Sequence, residues 1–187
     1  MAGASIDVHV EKLLMKADRQ VLRILSPRAR CIILALRMIR MEGTSIEELL
    51  MQIESYGFKC SKLEDALYML SYHDIIECDD KLCRLTDAGV ELSTALRGFL
   101  ENMRSLAYNV VDGVAAEDDI LASLVTAFAS TVGLIESYAE EPSLMPLYLS
   151  LHMYITGLST AVLAQLARVS AQVLDTVKRF TEGYETE

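Results

Sequence analysis

Histidine, cysteine and carboxylate come closest together in "HDIIECDDKLCRL", the run from His73 to Leu85. His73, Cys78 and Cys83 follow one another at a spacing of five, with Asp79 and Asp80 between the cysteines. Nitrogen and sulfur suit zinc, but structural zinc sites pair cysteines about two to four residues apart and add two further ligands. If two short strands flank the acidic turn, a turn at Asp80–Lys81 sets Cys78 directly across from Cys83. Opposed strand positions hold Cβ atoms roughly 4.5–5.5 Å apart, near disulfide reach. Three readings stay open: two reduced thiols filling half-buried strand positions, a disulfide clip, and a metal. The first is the plainest, and no metal site is expected.

Other reactive side chains are scattered. Cys31 and Cys60 each adjoin apolar residues and read as small core residues, while His9 and His152 stand alone on helical stretches. Glu117, Asp118 and Asp119 fall at a helix start, where they complement the helix dipole rather than form an acid–base pair. Met145, Tyr148, His152, Met153 and Tyr154 gather near the start of the last helix. Such residues can line an apolar effector pocket, though at helical spacing they read first as core or dimer interface. The sequence holds no nucleophile elbow, phosphate-binding glycine loop or zinc-protease motif. Neither an enzyme nor a cofactor is expected.

Positioning these residues falls to a chain of 187 residues, 52 % hydrophobic, long enough to bury a core without metal or disulfide. The net charge of −10 is uneven: −2 up to Arg104 and −8 beyond it. Lys12, Lys16, Arg19, Arg23, Arg28, Arg30, Arg37 and Arg40 dominate the opening forty residues, leaving room for a local basic face on an acidic protein. The first residues are charged early and lack the apolar core of a signal peptide. A stretch without formal charge, 142–167, contains two prolines, His152 and Gln165 and reads as a buried helix rather than a membrane span. The expectation is a cytoplasmic protein with no membrane partner and reduced cysteines.

Helical periodicity places Val10, Leu13, Leu14, Ala17, Val21 and Leu25 on one face of residues 6–25. Ser26 caps a second helix with Pro27 at its first position, and Ile32, Ile33, Leu36 and Ile39 form its buried face. Ser45 caps a third helix closed at Gly57, and Ser61 caps a fourth running to His73. "IIEC" and "KLCRL" read as strands, and Thr86 caps a helix that continues through Gly98 toward Asp112. Two long helices, 119–139 and 144–181, follow around "EEPSLMP". Each carries a stripe of small residues: Ala122, Thr126, Ala129, Ser130 and Gly133, then Gly157, Ala161, Ala164, Ala167 and Ala171. Such stripes let helices approach closely, inside one domain or across a dimer.

Over 26–98 the order helix, helix, helix, hairpin, helix resembles the winged helix-turn-helix of MarR-, ArsR- and PadR-like transcriptional regulators. The leucine series Leu63, Leu67, Leu70 before Asp74–Ile75–Ile76 matches, with Asp74 where glycine is usual, and "LTDAG" supplies Leu85, Thr86 and Gly89. The resemblance implies a mainly α fold: an N-terminal amphipathic helix (1–25), a winged helix with a small two-stranded wing (26–98), and a C-terminal helical dimerisation region (99–187). It implies a homodimeric regulator binding double-stranded DNA. The expected phosphate contacts are Arg28, Arg30, Lys59, Lys62, Lys81 and Arg84. Glu64, Asp65, Tyr68 and Met69 form the exposed face of the reading helix. Carboxylates there and at the wing tip favour a second reading, a protein-interaction module whose acidic helix docks a basic partner.

Overall fold

The computed structural model describes residues 2–79, 81–115, 118–122, 125, 129, 141–171, 173, 175 and 178. Among them the fold is mainly helical, with one small antiparallel sheet. The order is α1 (Ala2–Ile24), α2 (Pro27–Met38), β1 (Thr44–Ser45), α3 (Ile46–Ser55), α4 (Leu63–Tyr72), β2 (Ile76–Cys78), β3 (Leu82–Leu85), α5 (Asp87–Val111), a 3₁₀ turn (Pro142–Leu144) and α6 (Met145–Leu166). The sheet has three strands rather than two, in the order β1-β3-β2. Thr44 and Ser45 pair with Cys83 and Leu82, so the two residues before α3 extend the hairpin on its far side.

Most helix boundaries follow local chemistry. Ser26, Ser45 and Thr86 accept from the backbone N–H of Ala29, Glu48 and Gly89, satisfying donors a helix start leaves orphaned. The expected cap at Ser61 is not formed. Helix α4 starts one residue later, behind Lys62, with no side-chain cap, and Glu64 and Asp65 in its first turn supply the favourable negative charge instead. Helix α6 ends at Leu166, short of the expected 181, because a turn over 167–169 interrupts it. The small-residue positions Thr126, Ser130 and Gly133 lie outside the described residues.

One continuous core runs through the described chain. Helix α2 is its axis: Cys31, Ile32, Ile33, Leu34, Ala35 and Leu36 are all fully buried. Helices α4, α5 and α6 pack around α2, and α1 lies against α5 and α6. Each large apolar side chain so buried contributes about 1.5–3 kcal/mol. Gly157 of α6 lets α1 come close, since a Cβ there would stand 3.0 Å from Val21 Cγ1. That part of the small-residue stripe therefore serves packing within the chain. Residues 142–166 are long and apolar enough to cross a membrane by length and composition, and here Leu147, Leu151, Tyr154, Leu158 and Val162 are buried in this core.

Candidate nucleic-acid interface

Helices α3 and α4 are joined by residues 56–62, and the turn has a definite mechanism. Gly57, at φ +94°, donates to Glu54 O, and Phe58 N–H donates to Ile53 O at 3.1 Å. These two bonds close a Schellman motif, in which a left-handed residue ends the helix and an apolar one follows. The end of α4 repeats it: Asp74 N–H donates to Ser71 O and Ile75 N–H to Leu70 O, with Asp74 at φ +53°. Asp74 therefore stands where glycine is usual because this position must turn left-handed, a conformation Asp tolerates at modest cost. The result presents α4 with Leu63, Ala66, Leu67, Met69 and Leu70 buried. Lys62, Glu64, Asp65, Tyr68, Ser71 and Tyr72 remain outside. Met69, expected on the exposed face, is buried because it shares the inward stripe with Ala66 and Leu70. Tyr72 takes an outward place in its stead. The rings of Tyr68 and Tyr72 stack at 6.3 Å, 73 % and 70 % exposed.

The hairpin pairs Ile76 with Leu85, Glu77 with Arg84, and Cys78 with Cys83. Asp79 N–H donates to Leu82 O, and Asp79 Oδ1 accepts from the N–H groups of Lys81 and Leu82, each at 2.8 Å. Those two donors hold the Asp79 carboxyl below the usual range. The carboxylate thus serves the turn itself, while Asp80 lies outside the described residues. Cys78 and Cys83 are joined in a disulfide across the register, with Cα atoms 4.1 Å apart. The preferred reading of two free thiols gives way to the clip. No cluster of metal-ligating side chains occurs among the described residues.

"LTDAG" fixes the hairpin to the helices on both sides. Thr86 Oγ1 donates toward Asp74 O and Ile75 O while accepting from Gly89 N–H, so one hydroxyl joins the end of α4 to the start of α5. Gly89 passes so close that a Cβ would stand 1.9 Å from Ile75 O. The glycine is required by that approach.

The six expected phosphate-contact residues fare differently. Arg28, Lys59, Lys81 and Arg84 are exposed. Lys62 is exposed too but pairs with Asp65 at 3.0 Å, one turn along its own helix. Arg30 turns inward: Nε donates to Leu22 O at 2.6 Å, and Nη2 to Arg23 O and Leu25 O. Its guanidinium also lies 5.3 Å from the centre of the Phe58 ring. Arg30 closes the C-terminus of α1 and is withdrawn from phosphate, because the last carbonyls of α1 are the nearest acceptors. It also gathers the end of α1, the start of α2 and the loop before α4 into one corner. The exposed cations there are Arg23, Arg28, Lys59 and Lys62.

A polar cluster that periodicity did not reveal lies on the other side of α2. Arg37 Nη1 donates to both carboxylate oxygens of Asp18 (α1) at 3.1 and 3.0 Å and to the Tyr154 hydroxyl (α6) at 3.1 Å. Tyr154 donates to Asp18 Oδ1 at 2.6 Å, and Tyr56 donates to Asp18 Oδ2. Burial pushes the tyrosine hydroxyls of Tyr56 and Tyr154 above their ordinary pKa, with the Asp18 charge acting in the same direction. Its only trace in the sequence is two charged residues among apolar neighbours, Asp18 beside Ala17 in α1 and Arg37 after the buried run of α2, which does not pair them. A cavity of about 340 Å³ opens beside the cluster, bounded by Leu14, Met15, Arg97, Leu100 and Arg104 among others. Arg104 is paired with Glu11, which also lines the cavity, at 2.5 Å. Neither α4 nor the hairpin lines it. The five residues expected to cluster at the start of α6 do not form one pocket: Tyr154 is fully buried against Asp18, while Met153 is 44 % exposed.

No family model, no curated protein and no solved structure matches this chain.

Proposed function

We propose that this chain is a winged-helix DNA-binding regulator that works as a homodimer, with α4 as the reading helix and the β2–β3 hairpin as the wing. The observation that carries this reading is the corner of Arg23, Arg28, Lys59 and Lys62 at the N-terminal end of α4. Cations so placed can hold phosphates on either side of a groove while α4 enters it. Lys81 and Arg84 of the hairpin extend the same chemistry to a second strand segment. The carboxylates of Glu64 and Asp65 are accounted for within α4, by its uncapped start and by Lys62. Duplex DNA binding followed across a salt series tests the reading. Binding at low salt that weakens steeply as salt rises is expected, and no binding at low salt rejects it.

For the dimer, α6 leaves Leu149, Met153, Thr160 and Ala164 exposed along one side, an apolar and small-residue surface suited to a second copy. A monomeric mass in solution at micromolar concentration rejects that part. A second reading has its own support: the stacked, exposed Tyr68 and Tyr72 beside Glu64 and Asp65 form a surface that fits a basic protein segment. Tyr68→Ala/Tyr72→Ala separates the two. Loss of DNA binding places the tyrosines on nucleic acid, and unchanged DNA binding leaves them to a partner protein.

A further inference from the structure

A second cavity, of about 460 Å³, shares Arg37 and Arg97 with the one beside the Asp18 cluster. Its walls come from the end of α2, from α3, from β3 and from the first half of α5. The size falls in the range of sites that bury a small molecule. Met38, Leu85 and Val90 give it a half-buried apolar wall, to which Met41 adds.

The charged groups of this cavity differ in whether they are paired. Arg37 is held by Asp18 and the Tyr154 hydroxyl, and Arg40 by Glu48 at 2.7 Å. Arg97 of α5 and Glu42 of the loop after α2 are exposed and make no ion pair or hydrogen bond among the described residues, with each other included. The cavity thus offers one cation and one anion, on separate elements, beside an apolar wall. Thr94, one turn before Arg97 on α5, adds a hydroxyl.

We infer that this cavity binds a free α-amino acid with a large apolar side chain. The α-carboxylate accepts from the Arg97 guanidinium and the Thr94 hydroxyl. The α-ammonium donates to the Glu42 carboxylate, and the side chain lies on Met38, Leu85 and Val90. Methionine suits such a wall, because its unbranched, polarisable chain adapts to shape and makes favourable contacts with aromatic rings. A simple carboxylic acid would cover Glu42 without pairing it, and a simple amine would do the same to Arg97. The two charges together therefore select a zwitterion. The neighbouring cavity suits it less: Glu11, Asp18 and Glu101 all line it, and its Arg104 is already paired with Glu11.

The inference does not rest on DNA binding, and its test reads ligand binding alone. The full chain is titrated by calorimetry with L-phenylalanine, L-leucine, 3-phenylpropanoate, which lacks the ammonium, and 2-phenylethylamine, which lacks the carboxylate. Saturable binding of an amino acid is expected, with both charge-deleted analogues weaker. Arg97→Ala and Glu42→Gln should each weaken amino-acid binding about ten- to hundredfold, as for a lost hydrogen bond to a charged group. Both positions are exposed, so unfolding should stay as in wild type. Arg104→Ala, at a residue that borders the first cavity and not the second, should bind like wild type. No saturable binding of either amino acid overturns the inference. So do 3-phenylpropanoate binding as tightly as L-phenylalanine, wild-type affinity in Arg97→Ala, and lost affinity in Arg104→Ala.

Discussion

Single residues decide how the α4–hairpin–α5 junction is built. Gly89→Ala should destabilise the protein by about 2–4 kcal/mol in urea unfolding, because its methyl group would overlap Ile75 O and backbone would have to move. Asp74→Gly should be neutral or stabilising by about 0.5–1 kcal/mol, since the left-handed residue is then the one that adopts it freely. Both positions were legible beforehand as the glycine of "LTDAG" and the aspartate in a glycine's place. The Asp18–Arg37 pair was not, because a buried ion pair between distant helices leaves only two charged residues on apolar faces. Arg37→Met should cost about 3–5 kcal/mol by stranding Asp18, whereas Arg37→Met with Asp18→Leu should restore much of the loss. The tyrosines bonded to that pair set an alkaline limit. Their folded pKa lies above the unfolded value of about 10, so their contribution is complete below that pH. It is lost as pH rises through the folded value. Unfolding followed by tyrosinate absorbance should therefore move to higher pH in Tyr154→Phe.

Elements divide into those whose ends carry their own signals and those that do not. Helices α2, α3 and α5 begin at Ser26, Ser45 and Thr86, and α3 stops at Gly57, all readable from residue type. The start of α4 was misplaced because Ser61 offers a cap that the structure does not use. The end of α6 was missed because neither glycine nor proline marks the turn at 167–169, and the apolar spacing runs straight through it. β1 was invisible as well: two residues become a strand only when β3 lies beside them. Arg28 and Arg30, two positions apart at the start of α2, carry opposite expectations at this scale. Arg30→Ala should lower stability by about 1–3 kcal/mol, since three carbonyls at the end of α1 lose their donor. Arg28→Ala should leave thermal unfolding within about 0.5 kcal/mol of wild type, as an exposed side chain away from such bonds.

Across the whole molecule, an acidic protein of net charge −10 holds most of its cations in the first half, four of them on the segments that Arg30 gathers beside α4. A folded arrangement can therefore place a basic site on a chain whose overall charge opposes nucleic acid. The mainly helical layout with a small sheet was foreseen in outline, whereas the clip across the hairpin was only the second of the readings left open for its cysteines. The corner was not foreseen, because it depends on Arg30 drawing the α1 end and the Phe58 loop together. The most direct measurement is the salt dependence of duplex DNA binding by wild type, Arg28→Ala and Lys59→Ala between about 50 and 200 mM salt. The DNA-binding reading predicts wild-type binding at low salt. In each variant the slope of log affinity against log salt should fall by about 1, with unfolding unchanged. Wild-type protein that fails to bind at low salt, or variants with wild-type slopes, would contradict it.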